Sequence, residues 1–138
     1  MVKTENGATN IFNITQPELY RCQVLHYHNR LSRLYIAVYK GNDRAAPALF
    51  YLLFADVGYF DCPVSWTGAD FSIAPTDDCI QLMLDTGLIG AAILQFPNAY
   101  ASITDYARLY IATTSTERPI RIIANSANMV QELPKDLR

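Results

Sequence analysis

The sequence predicts an α+β fold: a mainly antiparallel β-sheet of about six or seven strands with one to three short helices. Three observations lead there. Short apolar runs rich in Tyr, Val, Ile and Leu recur between turn residues, the pattern of strands. One segment, residues 76–86, switches to helical spacing. The links between neighbouring strand candidates are too short for the helical crossovers that parallel strands need.

The scale fits one domain. The chain has 138 residues, 51% hydrophobic and 17% charged, with a formal net charge of -2. That length buries a core without disulfides or a metal. The small charged share argues against disorder and charged tails. No apolar run reaches the roughly 18 residues of a membrane span, so no membrane partner is expected. Residues 1–17 are polar and end at Pro17; they read as a loose N-terminal arm with one short edge strand at 11–14. Residues 18–138 read as a single globular α+β domain.

Each element has a local reason. Residues 19–28 and 33–40 form two strands joined by the short link 29–32, a hairpin. Along 33–40, period two sets Leu34, Ile36 and Val38 on one face and Arg33, Tyr35, Ala37 and Tyr39 on the other. Gly41, Asn42 and Asp43 make a turn. The nearly continuous apolar run 48–55 fits a strand buried on both faces. At 56–58 either a tight turn starts or one long strand bends at a bulge. Residues 59–62 resume the strand, Pro63 ends it, and Trp66-Thr67-Gly68 reads as a loop entry. In the helix at 76–86, Thr76 is placed to cap, Asp77 and Asp78 suit the positive N-terminus, and Gly87 suits the residue just past the end. Ile80, Met83 and Leu84 share one helix face; Asp78, Gln81 and Asp85 share the other. The apolar run 88–96 reads as a buried strand. Asn98 can cap a short helix carrying Tyr100 and Ile103. Residues 106–113 and 119–124 read as two strands joined by 114–118. The end of the chain is either a two-turn helix capped by Ser126 or a final strand.

Three chemistries can be drawn from these elements. His26 and His28 share strand parity with Cys22, so a Cys/His site for metal or proton transfer can be sketched. A fourth ligand is missing, and Cys22 lies about 13 Å along the strand from His26. Arginine and tyrosine give the more suggestive pattern. Arg33, Tyr35 and Tyr39 share one strand face; Tyr106, Arg108 and Tyr110 share another. Aligned in one sheet, they would form a surface that stacks planar groups and forks onto anions, or anchors a partner protein. Trp66 is the third aromatic element, placed either as a lid on the core or as a ligand contact.

These observations rank the functions. A non-enzymatic interaction module that self-associates, most simply as a two-fold dimer, comes first. The alternative is a small-ligand-binding domain with a Tyr/Arg/Trp-lined pocket between the sheet and helix 76–86, taking an anionic or planar ligand. A Cys/His-dependent enzyme is third. No catalytic residue, metal site or cofactor is assigned. Nucleic acid is not an expected partner, because an acidic chain lacks the basic footprint that phosphate binding needs. The first residues lack the apolar stretch of a signal peptide, and Cys22, Cys62 and Cys79 make a poor disulfide framework. Reduced thiols and a cytoplasmic location follow as expectations.

Overall fold

The computed structural model describes residues 10–41, 45–112 and 119–135. Among them, nine strands and two α-helices build two antiparallel sheets, an α+β, mainly-β fold. β1 (Tyr20–His28) and β2 (Arg33–Lys40) form the expected hairpin, and β3 (Phe50–Ala55) pairs with the far side of β2. β5 (Ser65–Thr67) pairs with β1 and β9 (Ser126–Val130) with β3, completing a five-stranded sheet in the order β5-β1-β2-β3-β9. The second sheet has the order β4-β8-β7-β6, from β4 (Tyr59–Asp61), β6 (Ser72–Ile73), β7 (Arg108–Ala112) and β8 (Ile120–Ala124).

The strand count is slightly higher than expected because three strand paths bend and serve both sheets. β3 runs into β4 through Asp56, Val57 and Gly58. Asp56 takes a positive φ of 53° at the corner. The bend is hydrogen-bonded rather than loose: Val57 N–H donates to the Ser32 carbonyl and Gly58 N–H to that of Ile123, each within 2.9 Å. β8 passes into β9 through Asn125 alone, whose N–H donates to the Ala55 carbonyl. β5 leads to β6 across residues 68–71. The two sheets thus fold over one interior in a barrel-like arrangement, as sheets do when strands switch layers at bends. At the chain's end the strand wins over the helix: residues 126–130 pair antiparallel with β3 and take up its free edge.

Period two decides which side chains enter that interior. Leu34, Ile36 and Val38 point inward from β2, and Leu52 and Phe54 from β3; all five are fully buried. Ile120, Ile122 and Tyr110 face them from the second sheet, and Phe54 stacks edge-on with Phe71 and Tyr110 at ring distances of 5.1 and 5.4 Å. Alternate positions of β7 and β8 face outward. Leu109 and Ile123 there meet Cys79 and Leu82 of α1 (Thr76–Asp85) in a second, smaller apolar cluster. The helix is packed on the sheet, as expected, though its buried face runs through Cys79, Ile80 and Leu82 rather than Leu84. Thr76 opens the helix instead of capping it, and Pro75 takes the cap position. Gly87 closes it at φ 78°, a left-handed conformation that glycine adopts without a Cβ penalty.

Four expectations need correction. Ile11, Phe12 and Ile14 pack on the core. Residues 11–14 form a turn, not an edge strand, because the Asp70 carboxylate gathers the Phe12 and Ile14 N–H groups at 2.9 Å each. Residues 1–9 and the link 114–118 lie outside the described residues. Trp66 belongs to strand β5, where its ring fills the interior. The run 48–55 is a strand only from Phe50, with alternating rather than two-faced burial. The largest difference is the run 88–96. It forms no strand; it turns through a short 3-10 segment, Ala91–Gln95, with no buried residue. Its apolar content matches a core strand, but it pairs with no strand: β7, the next strand in the chain, already has β6 and β8 on its two sides. After it comes α2 (Ala99–Tyr106), the helix expected around Tyr100 and Ile103.

Candidate functional site

The hairpin's outer face carries the first set of arginine and tyrosine side chains. Cross-strand partners point to one face of a sheet, so Arg21 and Tyr39, paired across β1 and β2, both turn away from the core. The Arg21 guanidinium lies over the Tyr39 ring, 4.4 Å from its centroid, and donates from Nη1 to Gln23 Oε1 at 3.2 Å. With Ser65 of β5 these groups line a shallow concavity of about 360 Å³. Arg33 is exposed at the start of β2, while Tyr35 is 3% exposed between them. None of the outward strand positions of this sheet is Asp or Glu, by the pairing registers of β5, β1, β2, β3 and β9. Arg21, Arg33, His26 and His28 therefore sit on a face without a strand-borne carboxylate, in a chain whose net charge is -2.

The second Tyr/Arg set does not join the first. Tyr106 ends α2 rather than starting a strand, and is 73% exposed. Tyr110 points into the barrel and is 3% exposed, and its burial raises the phenol's pKa. Arg108 lies at the rim, donating from Nη1 to the Asn125 carbonyl at 2.9 Å. β2 and β7 belong to different sheets, and of the second set only Tyr110 enters the interior. Trp66 is also inward; its indole N–H donates to the Gly68 carbonyl at 2.9 Å. Trp66 belongs to the interior cluster, whereas helix 76–86 packs in the separate cluster on the outer side of the second sheet. The groove beside α1 instead holds Asp78, Gln81, Asp85 and Arg121 in about 270 Å³, and Arg121 is paired with Asp61 at 3.0 Å.

A β-bulge separates the histidines from the thiol. The register of β1 shifts between Val24 and His26, leaving Leu25 as an extra, exposed residue. One extra residue flips every later side chain to the opposite face. Cys22 therefore points inward and is fully buried, while His26 and His28 face outward with ring centroids 5.9 Å apart. Burial pushes the Cys22 thiol up to about 12. Burial first, then the neighbouring Asp61 charge, pushes Cys62 up to about 11. Such thiols stay protonated near neutrality and make poor nucleophiles. Among the described residues no group of three His, Cys, Asp or Glu side chains stands close enough to hold a metal ion.

The connection from α1 to β7 forms the other distinctive surface. Residues 86–104 contain no charged side chain. Yet Leu88, Ile93, Phe96, Tyr100 and Tyr106 in and beside this stretch are all exposed, Phe96 by 66%. Neither its 3-10 segment nor α2 has a buried residue. The backbone is nonetheless ordered by its own hydrogen bonds, among them Ile93 to Gly90, Phe96 to Ile93 and Ser102 to Asn98. The Tyr100 hydroxyl donates to Asp77 at 2.6 Å and ties α2 to the first turn of α1. That hydrogen bond raises the phenol's pKa.

Arg21 and Gln23 escaped the sequence reading, although a signal was present. Their parity opposes Cys22, and the hairpin register carries Arg21 to Tyr39. The exposed run 88–96 left no such signal, since its composition is that of a core strand. Comparison with protein-family models, curated proteins and solved structures finds no match to this chain.

Proposed function

We propose that this chain is a non-enzymatic interaction module that self-associates through the uncharged segment between α1 and β7. One observation carries the reading: an ordered stretch without charge keeps Leu88, Ile93, Phe96 and Tyr100 in solvent, with exposed Tyr106 just beyond it. Contiguous exposed apolar surface on a folded domain marks an interaction site. A second copy is the occupant proposed for it. Asp77, Asp78, Asp85 and Asp105 bracket the segment, which opposes an anionic membrane surface or a nucleic acid. In such a contact the apolar side chains of two copies would meet at the centre with the flanking carboxylates at its rim, and a two-fold axis closes the assembly. Aromatic side chains such as Phe96, Tyr100 and Tyr106 are the residue types that anchor protein interfaces.

The raised thiol pKa values of Cys22 and Cys62 weigh against those two residues as nucleophiles. Three free cysteines, two of them buried, suit a reducing compartment, so the proposed location is the cytoplasm. Among the described residues no helix is long and apolar enough to cross a membrane.

Size-exclusion chromatography with light scattering at low micromolar concentration tests the proposal. The expected mass is twice the 15.5 kDa of the chain. A Phe96→Ser, Tyr106→Ser double variant should run as a monomer while keeping its Trp66 emission. A wild-type monomer throughout the micromolar range, or a dimer indifferent to both substitutions, would remove the reading.

A further inference from the structure

The outer face of the hairpin carries an arrangement that plays no part in the self-association proposed above. Arg21 is stacked on Tyr39 and held by Gln23, so its position is fixed before any ligand arrives. Only Nη1 is engaged by a protein acceptor among the described residues. No carboxylate there pairs with it, and no strand position on that face supplies one. The fork therefore presents its remaining donors to a concavity of about 360 Å³, with the Ser65 hydroxyl and the Gln23 amide on its walls. Pockets for small ligands begin at roughly 300 Å³.

From this arrangement we infer that Arg21, Gln23, Tyr39 and Ser65 form a binding site for the carboxylate of a small organic acid. A planar guanidinium matches a carboxylate through parallel N–H···O bonds. Stacking on Tyr39 lowers the ordering entropy that a free arginine would lose on binding. The count of charge selects carboxylate over phosphate monoester. One cation neutralises one negative charge, whereas a phosphate dianion would leave the second uncompensated. The Tyr39 side chain supplies an apolar wall for the rest of the ligand.

Backbone amide NMR titration with benzoate tests the site, with benzyl alcohol and inorganic phosphate as comparison probes. Benzoate should shift the amides of β1, β2 and β5 around Arg21, Tyr39 and Ser65. Arg21→Gln should weaken that binding about tenfold or more, since a hydrogen bond to a charged group is lost. Arg121→Gln, on the other sheet, should leave it unchanged. Three results would overturn the inference: no shift with benzoate at tens of millimolar, an equal response to benzyl alcohol, or tighter binding of phosphate than of benzoate. Because Arg21→Gln leaves the segment between α1 and β7 intact, its oligomeric state should match the wild type, which separates this test from that of self-association.

Discussion

Replacing Asp70 with alanine should unfasten the N-terminal arm and destabilise the whole domain. The carboxylate is 8% exposed and accepts three backbone hydrogen bonds. They come from Phe71 at 2.8 Å and from Phe12 and Ile14 at 2.9 Å. Those to Phe12 and Ile14 hold a segment whose Phe12 ring sits edge-on against Phe54 and Phe71. A hydrogen bond to a charged acceptor contributes about 1.5–3 kcal/mol. The two arm bonds are only part-buried, and water takes over some of their role, so the low end applies. Three bonds then sum to about 4.5 kcal/mol. At about 2.1 cal/mol/K per residue, the 138 residues give a Tm lower by about 16 °C. Urea unfolding followed by the emission of Trp66, the single tryptophan, measures the stability. Hydrogen exchange at the Phe12 and Ile14 amides reports the arm locally. Asp70→Asn should lose nearly as much, because the amide brings two donors to a site lined with donors. A loss under about 1 kcal/mol, below the contribution of even one such bond, would refute the reasoning. So would wild-type amides at Phe12 and Ile14 that exchange as fast as in the variant.

Four further outcomes follow from the same structure. The buried thiols make stability fall at alkaline pH. Unfolded cysteine ionises near 9.0, whereas the folded values are about 12 for Cys22 and about 11 for Cys62. Ionisation therefore favours the unfolded chain from pH 9 upward, and a urea midpoint that stays flat from pH 8 to pH 10.5 contradicts this. Alkylation of the native protein at pH 8 should likewise spare Cys22 and go to completion in denaturant. Gly87→Ala should cost about 1 kcal/mol through its left-handed backbone alone, since no atom lies within 4 Å of a Cβ built there; an unchanged midpoint would show that the helix end relaxes freely. Phe54→Ala should cost about 3–5 kcal/mol, because its ring contacts Phe12, Phe71 and Tyr110; a loss below 1 kcal/mol would mean that the core refills the cavity.

Local patterns carried much of the fold. In β2 the alternation of Leu34, Ile36 and Val38 with Arg33, Tyr35 and Tyr39 sets both the strand and its two faces. In α1 the acidic first turn and Gly87 mark the ends. The candidate site was legible only in pieces. Tyr39 was visible as an outward aromatic, but its partner Arg21 emerges only through the register of β1 against β2. Tyr106 and Tyr110 read as one strand face because their spacing of four is even; the end of α2 at Tyr106 breaks that sequence. Cys22 and the histidines were grouped by a parity that one extra residue, Leu25, reverses.

The sequence by itself determined the class of the fold, the hairpin, the main helix and the inward row of β2. Each depends on contacts a few residues apart, where periodicity and turn chemistry act directly. Tertiary structure alone decided which strands share a sheet, which apolar run is core and which faces solvent. Residues 50–54 and 88–96 look alike in composition, but only the first finds an open edge, beside β2. A strand needs a partner's hydrogen bonds to be a strand. Those partners come from distant parts of the chain, so the exposed segment and the Arg21 concavity arise from pairing rather than from local preference.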